Sequence, residues 1–123
     1  MSNKENNLLD KKCVPCEGGA KPLTHEEVTK LMEQVPEWQL SEDDRPKVRE
    51  VGLGATIARE FKFKDFIGSI NFINKIAEIA EEEGHHPDIQ IHYNKVLFEL
   101  STHAIGGLSE NDFILAAKID ASK

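Results

Sequence analysis

Two periodicities meet at Gly84. Before it, Phe66, Ile70, Ile73, Ala77 and Ala80 recur at helical spacing, widened by Ile67, Ile76 and Ile79, so residues 65 to 84 read as one long amphipathic helix. After it the period drops to two. Ile89, Ile91 and Tyr93 alternate with polar residues, and Val96, Phe98 and Leu100 do the same, which is the pattern of two half-buried strands joined by a tight turn. An apolar helix stripe next to a hairpin with one apolar face predicts a helix laid across an antiparallel sheet.

The flanking sequence extends this plan. Thr24-His25-Glu26-Glu27 fits a capping box, with Thr24 capping and Glu27 reaching back, and Val28, Leu31, Met32 and Val35 follow at helical spacing until Pro36. Trp38-Gln39-Leu40 suggests a short strand, and Ser41 to Lys47 a turn. Val48 to Leu53 and Thr56 to Phe63 read as strand material, with a hairpin expected around Gly52 and Gly54. Ser109 suits the cap of a last helix containing Phe113, Ile114, Ala117 and Ile119. The order helix, two strands, helix, two strands, helix predicts an α+β fold with helices on one face of an antiparallel sheet. Residues 1–21 are polar and aperiodic and contain Pro15 and Gly18-Gly19, so they read as a flexible arm; residues 22–123 read as a single domain.

A net charge of −7 over 123 residues argues against direct binding to nucleic acid or anionic lipid. No apolar run approaches the roughly 20 residues needed to span a bilayer, and the polar start lacks the apolar core of a signal peptide. The expectation is a cytoplasmic protein with no membrane association. Cys13 and Cys16 form a lone C-x-x-C, which supplies at most two metal ligands. A reduced pair, an adventitious metal and a disulfide all remain open.

Chemistry concentrates in "EEEGHHPDIQIHYNKVLFELSTH", residues 81–103, which holds four of the five histidines. With Asn94-Lys95 at the turn, Tyr93 faces Val96, Ile91 faces Phe98 and Ile89 faces Leu100; Gln90/Glu99, Asp88/Ser101 and His86/His103 then share the other face. His85 sits at the junction between Gly84 and Pro87, where the backbone can turn. His92 lies beside the turn and His25 in the first turn of a helix, both explained without function. A metal would need three or four converging ligands, and adjacent histidines rarely bind one ion. Clustered imidazoles suit proton transfer near neutral pH instead. Glu81, Glu82 and Glu83 oppose the helix dipole at its C-terminal end; Glu81 is a partner for an imidazolium, and Glu82 and Glu83 read as solvated. Asp112 suits either a first-turn cap after Ser109 or a place in the site.

G-H-H-P at 84–87, Y-N-K-V at 93–96, L-S-T-H at 100–103 and G-L-S-E-N-D at 107–112, with "FKFKDF" at 61–66 and more loosely Trp38, together resemble the pterin-4a-carbinolamine dehydratases over most of residues 22 to 120. The resemblance implies a four-stranded antiparallel sheet with three helices on one face. It implies a hydro-lyase that removes water from 4a-hydroxytetrahydropterin to give quinonoid dihydropterin, in tetrahydropterin recycling, with no metal or organic cofactor. It also implies homodimers or homotetramers and a functional link to a phenylalanine hydroxylase. The implied catalytic residues are His85, His86 and His103, and the implied substrate contacts are Glu81, Gly84, Pro87, Ser101, Thr102, Ala104 and Asp112. This chain departs from the usual pattern at Gly84, often acidic, at Ile89, often aromatic, and at Ala104, often Glu. Some relatives double as dimerisation partners of a transcription factor, so a protein-binding module is the alternative function.

Overall fold

A computed structural model describes residues 7–15 and 20–123 of the chain. Its elements run α1 (His25–Met32), β1 (Gln39–Ser41), α2 (Pro46–Val51), β2 (Thr56–Lys62), α3 (Phe66–Glu83), β3 (Asp88–His92), β4 (Lys95–Leu100) and α4 (Glu110–Ser122). The four strands form one antiparallel sheet in the order β1-β2-β4-β3. One sheet face is apolar because the registers align alternate residues. Ile57 pairs with Leu100, and Phe61 with Val96 across β2 and β4, and these four side chains are at most 2% exposed. Phe72 of α3 then packs against Phe61 and Phe98, with ring centroids 5.1 and 5.8 Å away. Phe72 and Ile76 of α3 join Phe113, Leu115 and Ile119 of α4 in the same core cluster. This is the α+β arrangement that the two periodicities predict.

Two local expectations fail. Val48 to Leu53 is not a strand, and there is no hairpin around Gly52 and Gly54. Pro46 instead opens α2 in the first turn, where its missing N–H costs nothing. Gly52 closes the helix with φ 81°, and a Cβ there would lie 1.9 Å from the Leu23 carbonyl oxygen. Pro46 and Gly52 decide the matter against the β-branched content of Val48 and Val51. The strand β2 therefore pairs with β1 and β4, its partners from elsewhere in the chain.

The second failure is the register of the β3–β4 hairpin. The turn is Tyr93-Asn94, with Tyr93 at φ 55°, so Ile91 pairs with Val96 and Ile89 with Phe98. An even shift moves each partner by two positions and leaves the apolar face intact, so apolar patterning could not exclude it. Bonds to residues outside the hairpin hold the turn: Ser69 Oγ donates to the Tyr93 carbonyl (2.8 Å), and Asn94 Nδ2 to the Phe63 carbonyl (3.1 Å). The ladder stops at Asp88–Glu99, so His86 and His103 are not a cross-strand pair.

The N-terminal stretch enters the fold too. Leu8 is 1% exposed and belongs to the core cluster, its N–H bonded to Gln34 Oε1 at 3.1 Å. Lys11 reaches Glu110 at 3.0 Å. Cys16, the second cysteine of the C-x-x-C, lies outside the described residues.

Candidate active site

The three histidines named from sequence reach one cleft of about 320 Å³, though by a different geometry from the one expected. The end of α3 contributes Gly84, His85 and His86, and the chain after β4 contributes Ser101, Thr102, His103 and Ala104. Gly84 makes this possible. It terminates α3 in the left-handed region, φ 67°, and its N–H and that of His85 both turn back to the Ala80 carbonyl. His85 thereby reaches Asp112 of α4, while His86 turns back to Glu81 of α3. His103 stands in a short 3-10 turn, His103–Ile105, closed by Gly106 at φ 72°.

Asp112 organises the floor. It is 0% exposed, and its Oδ1 lies 2.5 Å from His85 Nε2. Its Oδ2 accepts from Thr102 Oγ1 (2.8 Å) and from the Ser109 N–H (2.9 Å). One carboxylate thus does what the sequence left as alternatives, capping α4 and serving the site. Three polar groups converge on it: the His85 ring nitrogen, the Thr102 hydroxyl and the Ser109 N–H. In the Nε2–H tautomer His85 donates to Asp112, and its Nδ1 is left as an acceptor. Asp112 does not line the cleft itself but bonds His85 and Thr102, which do.

The C-terminal glutamates of α3 divide sharply. Glu81 Oε2 meets His86 Nε2 at 2.5 Å, in an exposed pair. Glu82 is exposed. Glu83, expected to be solvated, has a side chain only 5% exposed and bonds Lys118 Nζ at 2.7 Å and the Cys13 N–H at 2.9 Å. Burial on its own would raise the Glu83 carboxyl, but Lys118, the Cys13 N–H and Lys12 together pull it below the ordinary carboxylate range. Burial, reinforced by Glu83, pushes the Cys13 thiol up to about 12, so this cysteine is held as an unreactive thiol. Pro87, the remaining predicted contact, precedes β3 and does not line the cleft.

Sequence reasoning missed three lining residues: Val14, Pro15 and Asn111. No periodicity flags them, because the first two lie in an aperiodic stretch and the third follows a helix cap. A larger cleft, about 590 Å³, lies between α1 and α2 around His25, Glu42 and Arg49. There His25 Nδ1 is 2.6 Å from Glu42 Oε2. Among the described residues no group of three His, Cys, Asp or Glu side chains is placed to hold a metal ion, and no helix is long and apolar enough to cross a membrane.

Comparison with known proteins gives a consistent answer. The family model described as Pterin 4 alpha carbinolamine dehydratase matches residues 21–122. A relative from Nitrosospira multiformis, provisionally named a pterin-4-alpha-carbinolamine dehydratase, is 48% identical over 120 residues, 98% of this chain and 96% of its own. A similarly named relative from Halorhodospira halophila is 46% identical over 115 residues, covering 94% of this chain and 96% of its own. Among solved structures, a Brucella melitensis protein described as a transcriptional coactivator/pterin dehydratase superposes with a TM-score of 0.68 at 34% identity, covering 82% of this chain and 97% of that one.

Proposed function

The chain belongs to the pterin 4 alpha carbinolamine dehydratase family, a family of hydro-lyases, and we propose that it converts 4a-hydroxytetrahydropterin to quinonoid dihydropterin and water by histidine acid–base catalysis. The observation that carries the reading is the buried His85–Asp112 pair opening onto the cleft that His103 also lines. The reaction breaks the C4a–O bond, with one proton delivered to the departing hydroxyl and one taken from the ring nitrogen. His85, with Nε2–H given to Asp112, has Nδ1 available as the base. His103, exposed at the rim, is the acid, and His86, paired with Glu81, orients the ring. Positioned proton transfer of this kind contributes about 10²–10⁴-fold per step.

No metal is required by this scheme, since His85 and His103 carry both proton transfers; the Nε2 atoms of His85 and His86 face two different carboxylates. Ser101, Thr102, Gly84 and Ala104 line the cleft as the substrate contacts. A pterin-dependent hydroxylase, such as one acting on phenylalanine, is the class of enzyme that would supply the substrate in the cytoplasm. A second copy of the chain is the favoured partner: β3 is an edge strand with Ile89 39% exposed, and Ile67 and Tyr93 are 63% and 64% exposed.

Stopped-flow dehydration of the carbinolamine tests the reading. Wild type should accelerate dehydration with or without chelator, and His103→Ala should lose about 10²-fold or more. Full activity in both His103→Ala and His86→Ala would remove the site assignment. The coactivator description of the Brucella melitensis structure favours a second reading, a protein-binding role. Recovery of a partner by a chain with all three histidines replaced, together with absent dehydratase activity, would put that reading first.

A further inference from the structure

The apolar side of the cleft does not come from the elements that carry the histidines. Those elements line it with imidazoles, hydroxyls and the small residues Gly84 and Ala104, whereas the only aliphatic side chains larger than alanine among the described lining residues are Val14 and Pro15. We propose that Val14 and Pro15 form the surface on which the pterin ring packs, and that Asn111 is the residue that positions them. This rests on the dehydratase reading and extends it, by assigning substrate binding to the N-terminal strap and chemistry to the histidines.

The strap is built into place. Asn111, 4% exposed on α4, uses both amide atoms on the backbone of one residue: Oδ1 accepts from the Val14 N–H (2.9 Å), and Nδ2 donates to the Val14 carbonyl (2.5 Å). That grip copies the pairing of a strand neighbour and leaves the side chain outside it. The preceding residue is fixed as well, by the Cys13 N–H to Glu83 and by Cys13 Sγ to the Asn111 carbonyl at 3.6 Å. Farther back, Leu8 is buried in the core.

The result is an aliphatic side chain held in position yet 65% exposed. Holding a bare valine at the mouth of a polar cleft leaves apolar surface that a ligand can cover. A pterin suits such a site. Its ring edge carries donors and acceptors for Ser101, Thr102 and the histidines, and its faces need an apolar support. A proline ring and a valine side chain supply that support without competing for the polar edge.

The test compares wild type, Val14→Asp, Asn111→Ala and, as a control at an exposed valine that does not line the cleft, Val51→Asp. Dehydration kinetics are read as kcat and KM, and equilibrium binding of 7,8-dihydrobiopterin is read by fluorescence. Val14→Asp should raise KM and Kd about tenfold, the ~1.4 kcal/mol of one aliphatic contact, with kcat changed by less than about twofold. Asn111→Ala should move KM the same way, and Val51→Asp should match wild type. Unchanged KM and Kd in Val14→Asp, or a fall in kcat at constant KM, overturns the proposal while leaving the dehydratase reading in place. A wild type without dehydratase activity overturns that reading instead. Binding then decides the strap by itself: tenfold weaker binding by Val14→Asp upholds it, and equal or absent binding overturns it.

Discussion

His85 and His86 are neighbours in sequence, and each lies 2.5 Å from a carboxylate. Their environments differ in everything that gives such a pair its worth. The His85 and Asp112 side chains are 12% and 0% exposed, against 59% and 78% for His86 and Glu81. Coulomb attraction in water is weak and screened, whereas in a low-dielectric interior the same contact is strong and its loss leaves a stranded polar group. Identical distances therefore predict opposite sensitivities.

The largest expected effect comes from Asp112→Ala. It leaves the half-buried His85 imidazole, Thr102 Oγ1 and the Ser109 N–H without this acceptor, so denaturant unfolding should show a loss of about 3–5 kcal/mol. Asp112→Asn keeps the volume and separates folding from chemistry. An amide offers only one acceptor oxygen, so either His85 or the Ser109–Thr102 side meets a donor. Turnover should fall about 10²-fold or more through loss of the His85 tautomer, with a smaller stability loss of about 1–3 kcal/mol. Wild-type turnover in Asp112→Asn would mean that the buried pair has no more influence on the chemistry than the exposed one.

The strap offers a second buried carboxylate against which to measure the first, and its response to pH has a defined sign. Glu83 is depressed in the folded chain, so its contribution is present above the unfolded carboxylate value of about 4.3 and is lost as pH falls through the folded value. The Cys13 thiol is raised to about 12. Its contribution is present below the unfolded value of about 8.5 and is lost as pH rises toward that raised one. Docking of residues 8–15 should accordingly be tightest between about pH 5 and 8. Hydrogen exchange or limited proteolysis of this segment across pH checks it: protection should fall off at both ends of the window. Iodoacetamide should alkylate Cys13 slowly at pH 8 while the strap is docked, and Glu83→Gln should speed that reaction.

How far the sequence could be read follows the same division. The α3 helix, the four strands and the two capped helices were legible because period, caps and turn residues are local signals. The α2 helix is not legible, because Val48 and Val51 favour strands while Pro46 and Gly52, which decide the outcome, suit a turn as well as a helix end. The hairpin register was wrong by an even step, which patterning cannot detect; the Ser69 and Asn94 bonds that fix the turn come from tertiary packing. Among site residues, the three histidines stood out by clustering. Asp112 was ambiguous because a cap and a histidine partner look alike in sequence. Val14, Pro15 and Asn111 were invisible, since their meeting depends on a contact across 97 positions.

The smallest effect is expected at the exposed pair. Glu81→Gln weakens an exposed contact worth at most about 1 kcal/mol, and it also removes a negative charge from the C-terminal end of α3, where the helix dipole disfavours one by about 0.3–1 kcal/mol. The two terms oppose each other, so unfolding free energy should stay within about 0.5 kcal/mol of wild type. If His86 orients the ring, the loss should surface in KM, and should shrink as salt is raised because both side chains face solvent. A stability loss rivalling that of Asp112→Ala would show that exposure is the wrong measure of what these two carboxylate–imidazole pairs contribute, and that the short contact itself is what counts.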